Sequence, residues 1–190
     1  SVSKYGAERE VWRASEEGME MFIVNPAVII GPGNWNSGSS QIFMTVNKGV
    51  PFYTEGVTGY VDVRDVVRIM VKLMLLGITG ERFVVSTENL SYKQISSMIA
   101  TALGKKPPSV RLYPWMAKVA WRLDYLLTLF GKPSTFTRQL SRTAYHRYFY
   151  DNSKIRKLLD YKFIPIKESV VHTATVFLSE QKNDVKNQPL

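Results

Sequence analysis

The chain contains few side chains of the types that perform chemistry on their own. It has 190 residues, no cysteine and two histidines, His146 and His172. Without cysteine, neither a disulfide nor a thiolate–metal site can form. The two histidines have twenty-five residues between them, a spacing that makes a poor metal site. We therefore expect no metal centre.

Charged side chains offer the next candidates. Lys4 precedes Glu8 by four residues, so the two share one face of a helix, and on the residues alone they form a surface ion pair. Arg64 and Asp65 stand at the start of a predicted helix and are interpreted as capping and surface charges. The segment 31–35 follows an apolar run but lacks the glycine spacing of a dinucleotide-binding loop.

The elements that must position these side chains indicate an α/β fold. Residues 1–17 show helical spacing of apolar residues, and Gly18 marks the end of the helix. Residues 21–30 are two β-branched runs with little polar alternation, which predict a strand buried on both faces. A helix followed by such a strand is typical of a parallel sheet. Because two parallel strands do not form a stable open sheet alone, we expect the chain to be the later part of a larger sheet.

The rest of the chain continues this alternation and then becomes mostly helical. A capping box at Ser91 and Gln94 opens one helix, which Gly104 closes. Two short strands are predicted, at residues 81–86 and 109–113. Further helices are predicted at residues 41–48, 62–76, 115–130, 134–146, 152–160 and 166–179. We expect three units: a sheet domain at 1–104, a mostly helical lobe at 105–178 and a polar, frayed tail at 179–190.

The positive charge is confined to one block. The net charge is +9, and residues 101–160 carry 12 Lys and Arg against 3 Asp and Glu. This block is a solvated basic surface, or it attracts anionic lipid or an acidic substrate. Because no nucleic-acid-binding motif accompanies the charge, we expect no nucleic-acid partner. The sequence also lacks a signal-peptide pattern and an apolar run of about 20 residues, so we expect a cytoplasmic protein.

Five motifs, in order along the chain, resemble the extended short-chain dehydrogenase/reductases, in the NAD-dependent epimerase/dehydratase and dihydroflavonol-reductase-like group. Ser3-Lys4 with Ala7-Glu8 is similar to the end of that family's Tyr-x-x-x-Lys and Ala-Glu segment. A Pro-x-x-x-x-Gly-Pro strand lies at residues 25–33, and a Val-x-Val-x-Asp-Val helix start lies at residues 60–67. Two later landmarks lie at residues 80–83 and 151–154. The resemblance implies the C-terminal part of a Rossmann-type parallel sheet with a smaller, mostly helical substrate lobe.

The resemblance also implies roles for individual residues. Lys4 would be catalytic, since its ammonium would lower the pKa of a tyrosine one helical turn earlier and bind the nicotinamide ribose. That tyrosine would fall immediately before Ser1, so the fragment itself is expected to be inactive. Pro26, Ala27 and Val28 would bind the nicotinamide of NAD or NADP, most of whose site would lie upstream.

Residues after the second β-run would contact the substrate. Asn34 and Trp35 would line the pocket mouth, although Trp35 is equally well interpreted as a packing residue. The family's nucleotide-sugar enzymes usually have Asn where this chain has Val28, and Arg-Asp where it has Thr58-Gly59. These departures favour a reductase or dehydrogenase for a small or lipophilic alcohol or ketone. The alternatives are a nucleotide-sugar epimerase/dehydratase and a non-catalytic Rossmann-like binding protein.

Two interaction surfaces are also expected. The resemblance implies that the complete protein forms a homodimer through helix 1–17. The apolar helix at 115–130 is interpreted as the cover of a substrate cleft, with peripheral membrane contact as the alternative.

Overall fold

The computed structural model describes residues 2–113, 115–116 and 144–186 of the chain. Within these ranges six α-helices accompany seven short strands in an α/β arrangement. The helices are α1 Val2–Glu16, α2 Gln41–Asn47, α3 Val63–Leu75, α4 Tyr92–Ala102, α5 Ser153–Leu159 and α6 Ile166–Lys186. The strands are β1 Phe22–Pro26, β2 Val28–Ile30, β3 Phe52–Tyr53, β4 Val57–Asp62, β5 Glu81–Val85, β6 Glu88–Ser91 and β7 Val110–Arg111.

Parallel pairing dominates the described strands. β1 pairs with β5, β2 with β4, and β3 with β7, all in parallel, whereas β6 runs antiparallel to β4. The predicted single strand at 21–30 is wrong in one respect, because it divides at Ala27 into β1 and β2, which pair with different strands. The predicted burial on both faces is wrong for β1, whose residues are half-buried or exposed.

The core lies on both faces of β4. Tyr60 belongs to one apolar cluster and Val61 to the other, because successive residues of a strand point to opposite faces. The first cluster is completed by β2, α2, α4 and α6, through Ile30, Phe43, Ile95, Ile99, Val170 and Phe177 among others. The second is completed by α3, β5 and the α5 region, through Ile69, Leu73, Phe83, Val85, Ile155 and Phe163.

Local signals explain where the helices begin and end. Asp62 caps α3 by accepting a hydrogen bond from the backbone N–H of Arg64. The capping box of α4 is present as predicted, with Ser91 and Gln94 each bonded to the other's backbone N–H. The chain leaves α4 through Gly104 at φ +66°, a left-handed conformation that favours glycine.

Three predicted elements differ or lie outside the described residues. α6 continues past Ser179 to Lys186, so the predicted frayed tail is helical over these residues. Residues 144–145 form a turn rather than the end of a helix at 134–146. The remainder of that helix, and the apolar helix at 115–130 apart from residues 115–116, lie outside the described residues. In the part of the chain that is described, no helix is long and apolar enough to cross a membrane.

Candidate functional site

Lys4 lies on α1, which precedes β1 in the chain, and its side chain is exposed. Glu8, one turn later on α1, accepts a hydrogen bond of 3.0 Å from Arg82 of β5. This bond from Arg82 holds the pKa of the Glu8 carboxyl below its ordinary value. The hydrogen bond between Glu8 and Arg82 joins α1 to β5.

Pro26, Ala27 and Val28 mark the point where the chain passes from one strand pair to the other. Pro26 is exposed at the carboxyl end of β1, opposite Val85. The N–H of Ala27 donates a 2.9 Å hydrogen bond to the carbonyl of Val85, and Val28 starts the pairing of β2 with Tyr60 of β4. The carboxyl ends of β1 and β5 therefore lie side by side, the edge at which open parallel sheets bind ligands.

Two buried side chains crowd this passage. Ser86 follows β5 directly and is 2 % exposed. A Cβ at Gly59 would lie 2.5 Å from the Ser86 hydroxyl and 2.9 Å from the Ala27 Cβ, so a side chain there would force its neighbours to move. The carbonyl of Ser86 accepts a hydrogen bond from the side chain of Asn152, which joins the start of α5 to the end of β5.

Sequence reasoning missed several buried hydroxyls. Among the described residues, four buried oxygens lack a hydrogen-bond partner, in Tyr60, Ser86, Thr87 and Tyr145. Burial, with the neighbouring Tyr92, raises the pKa of Tyr60 far above that of a free phenol. Burial also raises the pKa of Tyr145. Tyr60 and Tyr145 are therefore neutral hydroxyls at physiological pH. No motif marks these residues, because their burial depends on contacts between distant segments.

Asn34 and Trp35 begin the loop after β2. The Asn34 side chain accepts a 3.0 Å hydrogen bond from the backbone N–H of Asn36, which forms a local turn. The Trp35 ring meets Phe177 edge to face, with ring centroids 4.9 Å apart, and its indole N–H donates a 2.6 Å bond to Glu180. These contacts give Trp35 a packing role against α6. A role of either residue in binding substrate stays a prediction.

The charges at the start of α3 differ from their predicted roles. Asp62, rather than Arg64, provides the cap, and the Arg64 guanidinium donates two bonds back to it, of 2.9 and 2.7 Å. Burial alone would raise the pKa of Asp62, but hydrogen bonds from Arg64 and Ser169 outweigh burial and hold it below its ordinary value. The prediction that Asp65 is a surface charge is wrong.

Asp65 is fully buried and links α3 to the segment before α6. Its carboxylate accepts 2.9 Å hydrogen bonds from the Tyr161 hydroxyl and the Ile164 backbone N–H. Burial raises the pKa of Asp65, and burial with the Asp65 bond raises the pKa of Tyr161 to about 12. Asp65 is therefore a structural carboxylate. Within the described ranges, no group of three or more potential metal-binding side chains occurs.

Two curated proteins are similar to this chain in sequence. A protein of Synechocystis sp. that carries the name dihydroflavonol 4-reductase is 27% identical over 177 residues, which are 88% of this chain and 51% of that protein. Sterol demethylase protein B of Methylococcus capsulatus is 30% identical over 149 residues, which are 76% of this chain and 43% of that protein. The chain thus spans about half the length of these relatives. No family model matches the chain.

Solved structures share the fold. The crystal structure of gox2253 superimposes with a TM-score of 0.73 at 28% identity, covering 94% of this chain and 55% of that one. A nucleoside-diphosphate-sugar epimerase from Pseudomonas aeruginosa gives a TM-score of 0.72 at 18% identity, over 93% of this chain and 54% of the epimerase. The yeast methylglyoxal/isovaleraldehyde reductase Gre2, solved with NADPH, gives 0.63 at 21% identity, over 93% and 54%. By sequence and by fold, the chain is a relative of the extended short-chain dehydrogenase/reductases.

Proposed function

We propose that this chain forms the nicotinamide side of an NAD(P)-dependent reductase or dehydrogenase that transfers hydride to or from a small or lipophilic alcohol or ketone. The observation that carries the proposal is the exposed Pro26 at the shared carboxyl edge of β1 and β5, with the exposed Lys4 on the helix before it. Ligands of open α/β sheets bind at this edge. The NADPH complex of the structural neighbour Gre2 supports the choice of cofactor.

The residues present fit one end of a dinucleotide. Pro26 has no N–H, and the N–H of Ala27 is already bonded to Val85, so the passage from Pro26 to Val28 offers a largely apolar surface for a planar ring. The Lys4 ammonium is a donor suited to ribose hydroxyls. When bound, NAD(P)H supplies the hydride. The sequence has no G-x-G-x-x-G segment, so the proposal assigns phosphate binding to residues outside this chain, which alone would transfer no hydride.

Lys4 has a second proposed role, in proton transfer. A phenol has a pKa near 10 and is a poor base at neutral pH. An ammonium one helical turn away favours the phenolate by charge and lowers that pKa. Lys4 would thereby activate a tyrosine one turn before it, as the family resemblance implies. Asn34 and Trp35 are retained as proposed residues of the substrate mouth.

The test is Lys4→Ala in a protein of the relatives' length that contains this chain. We expect turnover of carbonyl substrates to fall by about 10²–10⁴-fold, the usual contribution of general acid–base catalysis, and the optimum of the pH–rate profile to move upward. Arg9→Ala, at another exposed position of α1, is the matched control and should leave both unchanged. An unchanged rate in the Lys4 variant, measured as NAD(P)H consumption against aldehydes and ketones, would reject the proposal.

A further inference from the structure

A small cavity lies away from the nicotinamide edge, where three segments of the chain meet. Its volume is about 160 Å³, and it is lined by Glu55, Arg111, Leu112, Tyr145 and Arg147. Since a water molecule occupies roughly 30 Å³ of liquid, the cavity holds about five waters or one small polar group. No part of the proposed hydride chemistry uses these residues.

Backbone hydrogen bonds hold the two arginines in place. Arg111 belongs to β7 and pairs with Tyr53 of β3, and Leu112 donates a 2.8 Å bond to the Tyr53 carbonyl. Arg147 forms a parallel bridge with Val57 at the start of β4. That bridge is fixed by a 3.0 Å bond from Val57 to the carbonyl of residue 146 and a 2.8 Å bond from residue 148 back to Val57. Two cations distant in sequence therefore meet at a fixed position.

The charges in the cavity favour an anion. Arg111 forms a 2.7 Å ion pair with Glu55, and both side chains are nearly half exposed, so solvent and ligands reach them. Arg147 has no acidic partner among the described residues. The three groups together leave one net positive charge. A guanidinium presents its N–H groups as a planar fork that matches carboxylate and phosphate oxygens.

Two aromatic rings lie beside the arginines of the cavity. The Arg111 guanidinium lies 5.0 Å from the centroid of the Tyr113 ring. The neutral Tyr145 adds a further ring to the cavity wall. An organic anion with a planar body would contact both the guanidinium groups and these rings.

The distance from the nicotinamide edge follows from the strand register. Tyr60 pairs with Val28, and Val57 lies three residues earlier on the same strand. At about 3.3 Å per residue, Val57 lies roughly 10 Å from Tyr60 along β4. The backbones of their partners Arg147 and Val28 are therefore separated by about the same distance along the strand direction.

We infer that Arg147 and Arg111 form a site that binds the carboxylate or phosphate group of a small organic anion. This inference goes beyond the proposed function and does not depend on it. The oxyanion site belongs wholly to this chain, so its binding is measured without cofactor or turnover, and a negative result would leave the proposed hydride transfer standing.

The experiment titrates a protein of the relatives' length that contains this chain with benzoate and with benzyl alcohol, an uncharged compound with the same ring, and follows amide shifts of residues 111 and 147 by NMR. Benzoate should bind saturably, benzyl alcohol should bind much more weakly, and 1 M NaCl should weaken the binding of benzoate. Arg147→Gln should lower the affinity for benzoate roughly fivefold, the upper range for an exposed ion pair. Arg9→Gln, an exposed arginine on α1, is the matched control and should change nothing.

Glu55→Gln separates the anion site from a purely structural ion pair. Removing the carboxylate frees Arg111, so the affinity for benzoate should rise, whereas an ion pair that serves folding alone predicts no gain and a lower melting temperature. Circular dichroism verifies that each variant is folded. If the Arg147 variant does not fold, the Glu55 variant alone decides whether the cavity binds an anion. Equal binding of the two probes, or no gain in affinity in the Glu55 variant, would overturn the inference.

Discussion

Gly59 lies where three segments of the chain come into contact. A Cβ at this position would approach the Ser86 hydroxyl to 2.5 Å, the Tyr150 ring to 2.7 Å and the Ala27 Cβ to 2.9 Å. Its neighbours come from the residue directly after β5, from the segment before α5 and from the junction of β1 with β2. The missing side chain thus allows the strand carrying the proposed nicotinamide contacts to approach β4.

Gly59→Ala should therefore destabilise the fold. Forcing an extra methyl group into a packed site costs about 1–3 kcal/mol, and we expect that loss in the free energy of unfolding measured with urea. Gly6→Ala is the matched control, since nothing lies within 4 Å of its Cβ. Because Gly6 is inside a helix, alanine there should stabilise by about 0.5–1 kcal/mol. Unfolding midpoints that shift in the same direction would show that the crowding at Gly59 is relieved by movement.

Asp62 and Asp65, three residues apart, show opposite effects of their surroundings on pKa. Hydrogen bonds from Arg64 and Ser169 lower the pKa of Asp62, so its stabilising contribution is complete above the ordinary value of 3.8 and is lost as pH falls through the folded-state pKa. Burial raises the pKa of Asp65, so its contribution is greatest at low pH and declines as pH rises through its folded-state pKa.

Asp62→Asn tests the first of these effects. Asparagine is also a good N-cap, so the variant removes the charge facing Arg64 more than it removes the cap. Since Arg64 is partly exposed to solvent, we expect a loss of only about 1 kcal/mol at pH 7, and the difference from wild type should close as pH falls below 3.8. Glu20→Gln, at an exposed carboxylate, is the control. A loss that is independent of pH in urea titrations would exclude the charge as its cause.

At the scale of elements, the local signals in the sequence predict most helices well. The helices α1, α3, α4 and α5 begin and end within about two residues of their predicted positions, because caps and glycines are encoded locally. β6 escapes prediction because its antiparallel pairing, such as Leu90 with Thr58, depends on residues far apart. The burial of Asp65 could not be predicted for the same reason, since its partner Tyr161 lies ninety-six residues later.

The capping box of α4 gives a prediction at this scale. Ser91→Ala removes the hydroxyl that accepts the Gln94 backbone N–H and should cost about 0.5–2 kcal/mol of unfolding free energy. Ser96→Ala, inside the same helix, is the matched control and should be neutral or slightly stabilising, since alanine has the higher helix propensity. If both variants melt at the same temperature as wild type, interactions with α2 and α6 fix the start of α4 without the cap.

At the scale of the whole molecule, the packing is uneven. β4 has an apolar cluster on each face, whereas β1 pairs with only one of the described strands, β5. None of the described side chains of α1 is fully buried, and Tyr5 on this helix is 68% exposed. The site at the end of β1 therefore combines one well-packed wall, β4, with one lightly packed wall, α1.

The exposure of α1 supports the expectation that it forms a protein–protein contact. We predict that a protein of the relatives' length containing this chain is a homodimer through α1, seen as twice the monomer mass in light scattering. Tyr5→Glu places a charge in the proposed interface and should shift the protein to monomer, because an unpaired charge buried at an interface is strongly unfavourable. Glu10→Gln, at an exposed position of α1 that pairs with Arg13, is the control and should remain dimeric. A wild-type protein that is monomeric at high micromolar concentration would contradict this assignment of α1.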